Sequence, residues 1–446
     1  MEGGPRLSPI ETGLALFAAM LGLMAVRVPI AIAMFIPGAV GYALLASPAV
    51  VLNHLKGAAW ARLSVYDLSV IPLFLLMGQF ATQGGLSRSL FRFANALVGH
   101  RRAGMAMAAV LACAAFGTIS GSSVATAATV TQVALPDMLR LGYSGRLATA
   151  TLAAGGTLGI LIPPSVVLVV YAILTEQNIA KLFAAALLPG LLAATGYVIA
   201  IVLYARLVPG QAPEQPHAGP GERLAAAYEV WPVAAIFVVV FGGIYGGLFT
   251  PTEAAGIGAA GTFVTAAAKR ELGLAAFQRA FLGTAVTTGM VFLIFLGADM
   301  LNSALALSQM PAVLAQTVAA LSLPPVAVVA GILAFYVALC SVMDELSMII
   351  LTVPILFPVI MSLNLYGLTA TDKAIWFGIL VLSVVEIGLI APPVGLNVYV
   401  VNSLARDVPM AETYRGVVPF LISDAVRIAL LLAFPALSLW LVRLIS

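Results

Sequence analysis

Apolar stretches about 20 residues long recur along this chain from Leu7 to its C-terminal end, separated by short polar joints. At a rise of about 1.5 Å per residue, a helix of that length crosses a hydrocarbon core of roughly 30 Å. The pattern predicts spans at Pro9 to Val26, Val28 to Ala46, Asp67 to Gln83, Leu147 to Leu174 and Leu182 to Leu207. After a polar, proline-rich joint, further spans are predicted at Tyr228 to Phe249, Thr252 to Ala268, Phe281 to Leu305, Ala374 to Leu404 and Val417 to Leu444. Two other segments, Gly104 to Leu139 and Pro324 to Leu363, carry a polar break near their middle, at Ile119 to Ser123 and at Ser341 to Glu345. Half-length apolar arms around a polar tip describe a re-entrant hairpin. One long, tilted helix is the alternative, since tilt absorbs excess length.

The order of elements repeats. Gly159-Ile-Leu-Ile-Pro163-Pro164 in the first half has a counterpart in Gly388-Leu-Ile-Ala-Pro392-Pro393 in the second, each following a hairpin tip, and Pro189 and Pro419 come at similar further distances. An interior proline costs about 3 kcal/mol in an ordinary helix, so a doubled proline repeated inside two apolar spans marks two broken helices. The expected architecture is an all-α polytopic membrane protein of two repeats, residues 1–208 and 228–446, joined by a linker at 209–227. Hairpins are expected at 104–139 and 324–363, and broken helices at 147–174 and 374–404. With both segments as hairpins, each half has five crossings, an odd number, so the repeats are inverted relative to each other. Starting from an N-terminus outside the cytoplasm, most basic loop residues, including Arg88, Arg92, Arg101, Arg102, Arg140, Arg146, Arg223 and Arg270, fall on the cytoplasmic side. Arg6, Lys56, Arg62, Lys181, Lys373 and Arg443 fall on the other.

Composition narrows the class further. The chain is 62% hydrophobic and 9% charged, far below the charged share of about a quarter in soluble domains. Cys113 and Cys340 both lie in apolar segments and imply no disulfide framework. The polar start, Met1 to Pro9, lacks a basic region and a small-residue cleavage site, so the first apolar stretch reads as a retained span. A net charge of +3, spread over loops, points to no nucleic-acid partner. The stretches Val50 to Leu63 and Ser87 to Arg102 interleave basic and apolar residues and read as interfacial arms or plain surface helices.

A helix broken at mid-membrane leaves N–H groups unpaired at one half-helix and C=O groups at the other. The N–H end suits a carboxylate, and the C=O end, helped by hydroxyls, suits a dehydrated cation such as sodium. The first such cluster comprises Ser120, Gly121, Ser122, Ser123 and Thr126 at the tip, with Gly155, Gly156, Thr157, Gly159, Pro163 and Ser165 at the break. Glycine lets backbone approach an ion, and Ser or Thr supplies a neutral oxygen. Close packing of small residues between membrane helices is the competing explanation for any one of them. The second cluster comprises Ser341, Asp344 and Glu345 at the tip, with Glu386, Gly388, Ala391, Pro392, Pro393, Gly395 and Asn397 around the break. Asp344 is the leading ionisable candidate, with capping of the hairpin tip as its competing role. Glu345 is also open to a solvent-facing reading. Asp299 and Asp424 interrupt apolar spans and suit structural pairing with a buried arginine such as Arg427.

These residues resemble the large membrane subunit of tripartite ATP-independent periplasmic (TRAP) transporters. The resemblance rests on Gly117-Thr-Ile-Ser-Gly-Ser-Ser-Val-Ala-Thr, Ala154-Gly-Gly-Thr-Leu-Gly-Ile-Leu-Ile-Pro-Pro-Ser, Phe249-Thr-Pro-Thr-Glu-Ala-Ala, Val342-Met-Asp and Glu386-Ile-Gly-Leu-Ile-Ala-Pro-Pro-Val-Gly, spread over both halves. It implies a sodium-coupled importer of the bacterial inner membrane, working by an elevator motion of a hairpin-bearing domain against a fixed scaffold. It also implies a small four-helix membrane subunit and a periplasmic binding protein that delivers an organic acid, with a C4-dicarboxylate the commonest cargo. By similarity, the two clusters would be sodium sites, and Ser122, Ser123, Thr126, Ser165 and Asn397 would face a substrate between the hairpins. The family's second break usually reads Thr-Pro-Pro; Ala391 stands in the Thr place here, so one hydroxyl ligand is missing.

Other functions fit less well. A carrier of the same superfamily that needs no binding protein is the nearest alternative. An intramembrane hydrolase needs a base beside its serine, and His54, His100 and His217 fall in loops or interfacial arms. No HExxH motif is present.

Overall fold

The computed structural model describes residues 8–214, 217–320 and 323–445, so Arg6 and most of the polar start lie outside the described residues. Among them the chain forms twenty α-helices and one short 3-10 turn. The first group is α1 (Pro9–Ala25), α2 (Ile30–Leu45), α3 (Pro48–Leu63), α4 (Val70–Gln83) and α5 (Leu86–Val98). Next come α6 (Gly104–Ser120), α7 (Ser123–Arg140), α8 (Gly145–Leu161), α9 (Val166–Thr175) and α10 (Ile179–Leu207). The second half opens with α11 (Pro220–Tyr245), α12 (Pro251–Ala268), α13 (Leu274–Leu307) and α14 (Met310–Ala320). It closes with α15 (Pro325–Cys340), α16 (Glu345–Ser362), α17 (Ala370–Ile390), α18 (Leu396–Leu404), α19 (Met410–Ala433) and α20 (Ala436–Ile445).

Seven of these segments are long and apolar enough to cross a membrane, counting α8 with α9 as one. The expected spans α1 and α2 are shorter apolar helices, of 17 and 16 residues. The predicted final span is two helices, because Pro435 cannot supply the N–H that would continue α19. Neither Gly104–Leu139 nor Pro324–Leu363 is one continuous helix: α6 gives way to α7 at Gly121 and Ser122, and α15 to α16 at Ser341 to Asp344.

The centre is built from α8 and α17, which pack on each other and on α10 and α19. The α8–α9 segment and α17 are the most enclosed of the candidate spans, with 89% and 94% of an 18-residue apolar stretch of each buried. That enclosure explains their all-round apolar and small-residue sequences, since a helix without a polar face is one without a solvent face. Around this centre, α6 and α7 clasp α8, while α15 and α16 clasp α17. The half-helices beyond the breaks pack crosswise, α9 against α16 and α18 against α7. Outside lie α2 with α13, α4 with α12 and α13, and α5 with α6 and α11. The stretch Ser87 to Arg102 is largely α5, whose Leu90, Phe91 and Ala94 are buried while Arg88 and Arg92 remain outside.

Candidate functional site

The first hairpin tip is made by local backbone chemistry. Gly121, at φ 59°, ends α6 in the left-handed region that a side chain disfavours, and its N–H donates to Gly117 O at 3.0 Å. Ser122 then starts α7 as its N-cap, its hydroxyl accepting the Ala125 N–H at 3.4 Å. Its carbonyl receives the Thr126 hydroxyl at 2.7 Å, and that hydroxyl lies 2.7 Å from Ser120 Oγ. Three neutral oxygens, from Ser120, Ser122 and Thr126, are thereby gathered at one turn.

The broken helix meets this tip directly. A Cβ on Gly159 would lie 2.5 Å from Thr126 Oγ1 and 2.7 Å from Ser122 O, so only glycine allows the approach. Gly155 and Gly156 face Cys113 and Ala127 of the two hairpin arms. Beyond α8, Pro163 and Pro164 are joined by a cis peptide, and Ser165 caps α9 by accepting the Leu168 N–H at 3.2 Å. Gly121 lies against the Pro164 carbonyl, a built Cβ being 3.0 Å from it. Thr157 is not brought to the tip. Its hydroxyl donates to Ala154 O at 2.8 Å and lies 3.2 Å from the Tyr197 hydroxyl of α10.

The second cluster follows the same plan with different side chains. Asp344 caps α16, its carboxylate accepting the Ser347 N–H at 3.0 Å, while the Ser341 hydroxyl turns back to Val337 O at 2.8 Å. Gly388 lies where Gly159 does relative to its break, four residues before the double proline, and its built Cβ would sit 2.9 Å from the Cys340 carbonyl carbon. Pro392 and Pro393 are again joined in cis. Gly395, at φ 54°, precedes α18, which has no side-chain cap. The Tyr414 hydroxyl serves both Pro393 O, at 3.2 Å, and Val394 O, at 2.6 Å. Asn397 is fully buried and donates to Ala153 O of α8 at 3.2 Å.

Glu386 points away from its tip. Its carboxylate lies 2.6 Å from Arg427, which also meets Asp424 at 3.0 Å, and Tyr197 donates to Asp424 at 2.9 Å. Asp424 therefore pairs with Arg427, whereas Asp299 meets His54 of α3 at 2.8 Å. The spacing of Asp424 and Arg427, three residues apart on one helix, was a sequence signal for the first pair. Tyr197 carried no such signal. Glu345, for which a solvent-facing position was open, is buried, and the Ser123 hydroxyl donates to it at 3.2 Å. The two hairpin tips thus touch.

A family model described as the tripartite ATP-independent periplasmic transporter, DctM component, matches residues 17–437. The chain is 38% identical over 375 residues to the C4-dicarboxylate TRAP transporter large permease protein DctM of Pseudomonas aeruginosa, covering 84% of this chain and 86% of that protein. The corresponding protein of Vibrio cholerae is 32% identical, over 96% of this chain and 97% of its own length. The ectoine TRAP transporter large permease protein TeaC of Halomonas elongata is 29% identical, over 95% and 97%. Among solved structures, the YdaH transporter of Alcanivorax borkumensis shares the fold, with a TM-score of 0.59 at 15% identity, covering 95% of this chain and 98% of that one. Matched by the family model over residues 17–437 and by its relatives over most of their length, this chain belongs to the DctM component family of tripartite ATP-independent periplasmic transporters.

Proposed function

We propose that this chain imports a small organic acid across the bacterial inner membrane, driven by sodium, as the large permease of a three-part system. A small four-helix membrane subunit and a periplasmic binding protein complete it, and the binding protein supplies the acid. The N-terminus lies on the periplasmic side. Residues 1–208 and 228–446 are inverted repeats joined by the linker at 209–227, and the hairpin-bearing helices move as an elevator against the outer ones.

The observation that carries this reading is the matched docking of each broken helix on its own hairpin tip through a glycine four residues before a double proline, Gly159 and Gly388. Such junctions expose backbone carbonyls and half-helix ends where a dehydrated cation and a carboxylate can be held. In the first, Ser120, Ser122 and Thr126 supply neutral oxygens, with Ser123, Gly121, Gly155, Gly156 and Pro163 around them. In the second, Asp344 and Ser341 stand at the tip, and Gly388, Ala391, Pro392 and Gly395 supply backbone. Thr157 and Glu386 act from behind, holding the half-helices in place. Ser122, Ser123, Thr126, Ser165 and Asn397 line the space offered to the acid. Relatives named for C4-dicarboxylate and ectoine transport support an organic acid as cargo.

The test is uptake into proteoliposomes containing this chain and its small subunit, with the binding protein outside. Uptake is expected only under an inward sodium gradient; sodium-indifferent uptake defeats the coupling. Full uptake without the binding protein would make the chain a self-sufficient carrier instead.

A further inference from the structure

Among the described residues two glutamates are buried, and only one of them has a basic partner. Glu386 is fully buried and faces Arg427 at 2.6 Å. Glu345 is 8% exposed, and its charge is met by nothing comparable among the described residues. One carboxylate oxygen, Oε1, accepts the Ser123 hydroxyl at 3.2 Å. The other, Oε2, is buried without a hydrogen-bond partner. The neighbouring Asp344 adds a second negative charge and takes up the first turn of α16 by accepting the Ser347 N–H at 3.0 Å. The helix N-terminus offers a fraction of a positive charge to the two carboxylates together.

A carboxylate removed from water is costly unless a positive partner neutralises it. Glu345 sits where the second tip touches the first, so a partner would arrive between the hairpins. We propose that the Ser123–Glu345 junction, where the two tip-and-break clusters meet, is a cation-accepting position of its own, which receives either an additional coupling sodium ion or an ammonium group carried by the transported acid. This rests on the proposed transport function and deepens it. A dianion with no positive group would meet Glu345 as a like charge, whereas a zwitterionic acid, or a dianion accompanied by an extra sodium, would not.

The substitution Glu345→Gln keeps the shape and the hydrogen bond from Ser123 while removing the charge. The experiment follows thermal unfolding of the purified chain during titration with sodium chloride against choline chloride, then at saturating sodium with succinate or aspartate. These two acids share a carbon skeleton and differ by one ammonium group. If the partner is sodium, E345Q raises the sodium half-saturation by about tenfold and lowers the steepness of the titration. If it is the solute, the sodium titration is unchanged, but a wild-type preference for aspartate over succinate is lost. Wild-type behaviour of E345Q in both titrations overturns the junction while leaving sodium-coupled transport intact. A wild-type chain that responds to neither sodium nor either acid overturns the transport reading as well. Should E345Q fail to fold, Glu345→Asp, which keeps the charge but withdraws it from Ser123, carries the same readouts.

Discussion

The first break is enclosed, with Pro163, Pro164 and Ser165 buried, whereas Pro392, Pro393 and Val394 of the second are exposed. The side chains divide the same way. The first junction gathers hydroxyls, and the second carries Asp344 and Glu345 at its tip and an Arg427 network behind its break. The division makes physical sense. Enclosure penalises an unpaired charge and favours neutral oxygens at the first junction, while at the second the half-buried Asp344 keeps contact with its surroundings and the buried Glu386 and Asp424 are met by Arg427. Two junctions with one backbone plan thus place unlike chemistry on it, and under the proposed sodium coupling they are expected to bind with unequal strength.

The largest effect expected from this contrast lies behind the second break. Arg427→Ala leaves Glu386 and Asp424 buried without their cation, and loss of about 3–5 kcal/mol is expected, read as a strongly lowered unfolding temperature in detergent. The first junction has no comparable charge to strand. If R427A melts like wild type, the two junctions are electrostatically more alike than their side chains indicate.

A sharper comparison sets Ser122→Ala against Asp344→Asn. Both residues cap the second arm of their hairpin, and Asn caps as well as Asp, so D344N keeps the cap and loses only charge. S122A is expected to lose about 1 kcal/mol of stability together with some sodium response. D344N is expected to keep its stability and still need more sodium for half-maximal uptake. Unchanged sodium dependence in D344N would reduce Asp344 to a cap and remove the charge difference between the sites.

The smallest effect concerns Ala391. Ala391→Thr adds a hydroxyl beside the second break, and the sodium half-saturation is expected to fall a few-fold, about the worth of one hydrogen-bond-like contact of 1 kcal/mol. Identical sodium titrations would mean that backbone carbonyls alone set the second site's strength.

Much of this molecule was readable along the chain because its punctuation is local. Gly121, Ser122 and Asp344 stop and start helices through their own backbone preferences, and the doubled prolines at Pro163 and Pro392 break them, whereas the single Pro189 and Pro419 are carried inside continuous helices. The last span misled because Pro435 lay within an unbroken apolar run, and apolarity alone outweighed it. Thr157 misled in another way: its neighbours on α8 face the hairpin, but a helix turns 100° per residue, and the hydroxyl comes round to Tyr197.

The sequence by itself determined the membrane class and where the helices break, because each depends on hydropathy or on steric rules spanning a few residues. Only the tertiary structure decided that Ser123 meets Glu345 across 222 residues, that Arg427 chooses Glu386 as well as Asp424, and that one break is sealed while the other is open. A buried charge takes whatever partner packing delivers to it, and that delivery depends on how distant helices cross.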